Sequence, residues 1–371
     1  MSFISRKQLF LLQWYILFPL LFSCAPLKSV KESEAKDKAF TEADVKASQR
    51  LVGLNFTQAE IDTMYNYLLR NRANYDTMRT FALDYNSLPA IQFNPHPTDF
   101  RIPLNQKPIT WEIPESVSLP ENINDLAFYS VMELAALVKS KQITSLELTQ
   151  FFLARLKKYD PILKVVITLT EERAIDRAHQ ADKEISAGNY RGPLHGIPYG
   201  VKDIIAVKGY KTTWGSEPYK DQVIEETATV VKKLDDAGAV LVAKLTSGAL
   251  ARGDVWFGGK TLSPWDTTQG SSGSSAGSAS ATAAGLVPFA LGTETWGSII
   301  SPSTRCGVTG LRPTYGRVSR SGVMALSWSM DKVGPICRSA TDCAVVFETI
   351  RGVDKADPMT TEASFNHNWD I

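Results

Sequence analysis

The residues from Gly270 to Gly285 read GSSGSSAGSASATAAG, a stretch of Gly, Ser, Ala and Thr alone. It concentrates hydroxyl groups, the group type that acyl transfer to oxygen requires, and several readings compete for it. A flexible linker should join two independent units, yet the run passes straight into SATAAGLVPFALG, which ends as an apolar strand would. A phosphate loop needs a lysine behind its glycines, and a dinucleotide fingerprint needs G-x-G-x-x-G; Gly270, Gly273 and Gly277 supply neither pattern. The pentapeptide Gly273 to Gly277 does fit G-x-S-x-G, the nucleophile elbow, with Ser275 as the attacking group. That elbow must follow a strand, whereas LSPWDTTQG precedes it and His367 is the sole histidine downstream.

With only His96, His179, His195 and His367 in the chain, a hydroxyl nucleophile needs another base. A neutral lysine serves if burial lowers its ammonium pKa from the ordinary value near ~10.4. Lys202 lies in PYGVKDIIAV, where period-two geometry sends its side chain to the face opposite Val201 and Asp203. Taken alone, it fits a solvent-exposed edge strand better. Cys306, Cys337 and Cys343 form no C-x-x-C pair and adjoin no His cluster, so they read as small buried hydrophobes and no metal site is expected. A Cys337 to Cys343 bridge is the pairing their spacing leaves open.

The elements that must position these groups begin at Asn124. SVMELAALVKSK has a helical period, LKVVITL is strand-like, and PYGVKDIIAV and AGAVLVAKL follow as further strands. GLVPFALGT and the region from Gly307 to Leu311 add candidate strands. This alternation predicts an α/β domain with a largely parallel sheet. Upstream, between Tyr85 and Glu121, seven prolines predict an extended connection over residues 85–123. Residues 41–84 carry Ile61, Met64, Tyr65, Leu68 and Leu69 at helical spacing, with Asn55, Phe56 and Thr57 offering caps, and predict a helical extension of two amphipathic helices.

Residues 1–24 place Arg6 and Lys7 ahead of an apolar run from Leu9 to Phe22 that meets Cys24. The run is too short to cross a bilayer core of ~30 Å, and the pattern resembles a lipoprotein signal peptide with Cys24 as the lipidated residue. APLKSVKESEAKDK, within residues 25–40, is polar and reads as a tether. The expected location is therefore the bacterial envelope, with a membrane contact through the lipid anchor. The chain of 371 residues is 44% hydrophobic, enough for a sizeable core, and its 40 basic against 39 acidic residues leave a net charge of +1. No global field favours nucleic acid, so a small substrate is expected.

Three segments in order, GPLHGIPYGVKDII, QGSSGSSAGSASATAAG and LGTETWGSIISPSTRCGVTGLRPTYGRVSR, resemble the amidase signature family. The resemblance covers about residue 125 to 355 and includes the interval of 24 residues from Ser274 to Ser298. It implies a mixed β-sheet core surrounded by α-helices, an amidase signature domain over residues 124–371, and hydrolysis of a carboxamide without a cofactor. Residue by residue it implies a Ser-Ser-Lys triad of Lys202 as base, Ser274 as bridging serine next to a cis peptide bond, and Ser298 as nucleophile. The backbone amides of Thr295, Trp296, Gly297 and Ser298 match the oxyanion hole, with Ser275, Thr293 and Glu294 in support. It implies no obligatory protein partner.

Departures surround Ser298. Where the common family form reads G-T-D-x-G-G-S-I-R, this chain reads GTETWGSII, so Glu294 keeps a carboxylate while Ile300 removes the arginine that often pairs with it. This is a subfamily mark. Trp296 replaces a glycine, and either packs outside the site or narrows the pocket; Leu250 and Arg252 are guesses at a lining. The family's catalytic domain continues past the point matching CRSATDCAVVFETI, so the C-terminal part is expected to be missing, and a truncated, non-catalytic remnant is the alternative function. The same motifs also resemble the glutaminase component of a tRNA-dependent amidotransferase, against which the exported leader argues.

Overall fold

In the computed structural model, residues 40–84, 87, 90 and 94–367 are described. The chain divides into two compact units, one ending at Leu83 and one beginning at Asp84. In the first, α1 (Glu42–Val52) and α2 (Gln58–Met78) are the two expected helices. Each opens on a capping box, Thr41 with Asp44 and Thr57 with Glu60, which satisfies amides that a helix start leaves without intrahelical partners.

In the second unit, residues 94–122 carry no helix or strand, as their prolines predict. Two helices follow, α3 (Val131–Lys139) and α4 (Ser145–Leu163), again on capping boxes, Ser130 with Glu133 and Thr144 with Glu147. The chain continues through β1 (Val166–Leu169), α5 (Glu171–Ser186), β2 (Pro198–Lys202), α6 (Thr229–Asp236) and β3 (Val240–Leu245). A short hairpin, β4 (Val255–Trp256) and β5 (Gly259–Lys260), precedes α7 (Ala276–Ala283) and β6 (Phe289–Glu294). Last come α8 (Ile300–Cys306), β7 (Thr309–Gly310), β8 (Lys332–Cys337) and α9 (Ala340–Ile350).

The main sheet has the order β1-β3-β2-β6-β8-β7. It is mixed, which corrects the expectation of a largely parallel one. Only β2 pairs in parallel, with β3 and with β6; β1–β3, β6–β8 and β7–β8 are antiparallel. The physical reason lies in the connections. Parallel neighbours need a crossover, which α6 and α7 provide on the way to β3 and β6, whereas residues 295–331 bring β8 back alongside β6 in the opposite sense.

β2 and β3 are buried along their whole length, so they read as near-continuous apolar runs. Around them Phe152, Ile197, Tyr199, Val201, Leu241, Phe289 and Leu291 form a core in which each fully buried large side chain contributes about 1.5–3 kcal/mol. The three cysteines in this unit are free and buried, so the bridge left open by spacing is not formed. Burial pushes the Cys306 thiol up to about 12, which keeps it from acting as a nucleophile.

Candidate active site

Lys202 ends β2 inside the sheet, one residue beyond the pairing of Val201 with Leu291 of β6. It is 0% exposed, so the exposed edge-strand reading fails. The carboxyl ends of parallel strands are where α/β sheets present chemistry, and here the two ends meet: Lys202 Nζ donates to Thr293 Oγ1 of β6 at 2.8 Å and to Ser274 Oγ at 2.7 Å. Burial pushes the Lys202 ammonium down to about 7, against a smaller upward pull from the carboxylates of Asp331 and Glu294. A second buried lysine shows the contrast. Lys244 of β3 forms an ion pair with Asp203 at 2.8 Å and donates to the Lys211 carbonyl at 2.7 Å. Lys202 has hydroxyl partners instead, which accept a hydrogen bond without demanding a positive charge.

The small-residue stretch supplies one of those hydroxyls. The Gly273–Ser274 bond is cis, and Ser275 stands at the start of the buried helix α7 without a side-chain capping bond. Side chains are excluded here by close backbone approach. A Cβ on Gly273 would lie 1.9 Å from the Gly253 carbonyl oxygen, and one on Gly277 2.5 Å from the Thr246 amide. The serines that fit are all engaged. Ser275 Oγ accepts from the Thr293 amide and donates to its carbonyl, both at 3.1 Å; Ser278 Oγ donates to the Leu291 carbonyl at 2.9 Å and Ser280 Oγ to the Leu262 carbonyl at 2.7 Å. The run is thus a close-packed wall of satisfied hydroxyls, not a linker. Ser275 spends its hydroxyl on β6 and follows a loop rather than a strand, so the elbow geometry is not met, and the His367 ring lies tilted against Trp111, centroids 5.4 Å apart.

Residues 295–298 connect β6 to α8. Their neighbours are tied down through side chains and carbonyls. Glu294 Oε2 accepts from the amides of Ile299 and Ile300, both at 2.9 Å, placing a carboxylate at the start of α8. Thr295 Oγ1 donates to Asp331 Oδ1 at 2.6 Å, and the Thr295 carbonyl accepts from Lys332 Nζ at 2.8 Å. The Ser298 carbonyl accepts from the Ser275 amide at 3.1 Å, which sets Ser298 beside the 273–275 loop, and the Gly297 carbonyl accepts from Ser301. Among the described residues, the amides of Thr295, Trp296, Gly297 and Ser298 donate to nothing. Gly297 has φ +128°, a conformation that side chains rarely allow. These four amides adjoin the half-buried Ser298, the place where the family resemblance expects oxyanion donors.

Residues 147–369 match the family model described as Amidase. The chain belongs to the amidase family. It is 44% identical over 231 residues to the glutamyl-tRNA(Gln) amidotransferase A-subunit of Methylococcus capsulatus, covering 62% of this chain and 47% of that protein. The protein of the same name from Acinetobacter baumannii matches at 44% over 243 residues, 65% of this chain and 49% of that one. Among solved structures, the native peptide amidase of Stenotrophomonas maltophilia shares 40% identity at a TM-score of 0.60, over 62% of this chain and 49% of that one. The Thermotoga maritima glutamyl-tRNA(Gln) amidotransferase A-subunit shares 34% at a TM-score of 0.56, over 64% and 50%. The mixed sheet wrapped by helices is accordingly the amidase signature fold. The chain spans about half the length of the curated relatives it matches.

Against this amidase frame, Lys202, Ser274 and Thr293 come together directly, and Ser275 and Ser298 are joined through backbone. Among the described residues no hydrogen bond links Ser298 Oγ to Ser274 Oγ. Trp296 is 84% exposed, so it packs against no wall. Leu250 and Arg252 are also exposed. Cys24 and the rest of residues 1–39 lie outside the described residues. Arg312, from the segment after β7, approaches Glu294 at 3.7 Å. Sequence reasoning missed Arg312, Asp331 and Lys332, because a charge in a turn or at a strand start carries no signal of what it will face.

Proposed function

We propose that this chain hydrolyses carboxamides through an acyl-enzyme on Ser298, with Ser274 and Lys202 as proton carriers. The observation that carries the reading is the buried Lys202 amine, brought near pKa 7, at 2.7 Å from Ser274 Oγ. As the Ser298 Oγ–carbon bond forms, its proton passes to Ser274 while the Ser274 proton passes to Lys202. The carbonyl electron pair moves onto oxygen, where the free amides of residues 295–298 stabilise it. Collapse of that adduct breaks the C–N bond, the nitrogen takes a proton back through the relay, and ammonia or an amine leaves. Water then attacks the seryl ester by the same route and releases the carboxylic acid. The Ser298 to Ser274 contact is the one that substrate binding must tighten, as catalytic hydrogen bonds commonly do.

The test is ammonia release from simple carboxamides by the purified chain. Turnover abolished by Ser298→Ala supports the reading; turnover indifferent to that change overturns it. A folded chain with no turnover on any amide would support the non-catalytic alternative.

The relatives named for glutamyl-tRNA(Gln) amidotransferase favour a second reading, the glutaminase component of such an enzyme. Ammonia from glutamine only, and only with companion subunits added, would select it; hydrolysis of simple amides by the isolated chain selects the stand-alone enzyme. The pattern of residues 1–24 supports an envelope location with lipid at Cys24, the net charge of +1 supports a small-molecule amide as substrate, and the resemblance to the amidase signature family implies no obligatory protein partner.

A further inference from the structure

One carboxylate outside the triad connects the oxyanion loop to the base. Asp331 is buried just ahead of β8, and its carboxylate accepts three hydrogen bonds. Its Oδ1 accepts from Thr295 Oγ1 at 2.6 Å; its Oδ2 accepts from the amides of Leu326 at 2.7 Å and Ser327 at 3.0 Å. It therefore staples the first residue of the 295–298 loop to a turn about thirty residues on. Asp331 and Thr293 line the same cavity, and the Thr293 hydroxyl is the one that holds Lys202 Nζ.

We propose that Asp331 is a positioning residue of this site, holding the amide-bearing loop through Thr295 and presenting its negative charge to the side of Thr293 that Lys202 occupies. The inference rests on the reading of Lys202 as base. The neighbouring charged groups do not duplicate the role. Glu294 is committed to the start of α8 and to Arg312, Lys332 binds the Thr295 carbonyl, and Arg320 is paired with Asp357 at 2.9 Å. From the β3 side, Asp203 and Lys244 neutralise each other. Asp331 and Glu294 are the two carboxylates that pull the Lys202 pKa upward against burial.

Two variants separate the functions. Asp331→Asn keeps the shape and removes the charge; Thr295→Val removes only the hydroxyl that reaches Asp331. Titration of the Lys202 amine by nitrogen-15 NMR, which needs no turnover, should show its midpoint falling from about 7 in Asp331→Asn, by roughly half to one pH unit, and staying in place in Thr295→Val. At pH above that midpoint, kcat on a simple amide should fall about tenfold or more in both variants with KM little changed. An unmoved midpoint in Asp331→Asn, or a wild-type kcat in Thr295→Val, overturns the proposal. Should Asp331→Asn fail to fold, Thr295→Val, at a half-buried loop position, still decides the loop-holding role. An inactive wild-type chain in which the midpoint nevertheless moves would remove the hydrolase reading and leave the coupling of Asp331 to Lys202 standing.

Discussion

Lys202 Nζ lies 2.7 Å from Ser274 Oγ although 72 residues of chain separate them. The contact joins the end of a central strand to a loop that side chains cannot enter. Because Lys202 is buried and faces hydroxyls, its proton is held weakly, and most of the behaviour expected of this protein follows from that.

Under the proposed relay, in which the neutral amine is the working form, activity should rise with pH through a midpoint of about 7. Lys202→Met should remove about 100-fold or more of kcat and abolish the midpoint. The same group shapes stability with a definite sign. Its folded pKa of about 7 lies below the ordinary 10.5, so between those values the unfolded chain binds the proton the folded site refuses, and stability rises with pH. Urea melts across that window should show a shallower rise in Lys202→Met than in wild type. A rate that falls as pH climbs through 7 would count against the assignment.

Gly297→Val should cost about 100-fold in kcat, the scale of losing an oxyanion donor. The space for a side chain is open, but φ +128° is not, so the loop must relax and its amides turn away. Strain of this kind is worth about 1–3 kcal/mol, and the melting temperature should move far less than the rate. Equal loss of both would point to general unfolding instead.

Lys244→Met should destabilise the fold by about 3–5 kcal/mol, because it strands a buried Asp203 carboxylate. Adding Asp203→Asn should recover a large part, since the amide retains hydrogen bonding to Thr213 without the charge. Chemical denaturation of the single and double variants checks the coupling, and strict additivity would refute it.

Cys24→Ala should abolish incorporation of labelled fatty acid and release the chain from the membrane fraction, if residues 1–24 act as a lipoprotein leader. Labelling that persists in the variant would place any lipid elsewhere.

The sequence by itself determined the local grammar. Capping boxes at Thr41, Thr57, Ser130 and Thr144 are short-range chemistry, visible as S/T-x-x-D/E; the helices opened at Thr41, Thr57 and Ser130 were legible, as were β2, β3 and β6 from their apolar runs, whereas α4 behind Thr144 was not read. Motif order and the spacing of Ser274 and Ser298 pointed to the amidase family without any tertiary information. Tertiary structure decided what depends on neighbours distant in the chain. Whether Lys202 is a solvated edge lysine or a buried amine is fixed by β3 and β6 flanking its strand. Whether the sheet is parallel or mixed is fixed by the return of β8. GSSGSSAGSASATAAG shows the division most clearly. Its composition is that of a loose linker, yet the approach of the Gly253 carbonyl and the Thr246 amide leaves room for nothing larger, and its hydroxyls are held by β6 and by Lys202. Local propensity is written in adjacent residues; burial, charge state and close packing are properties of segments that meet only in the folded chain.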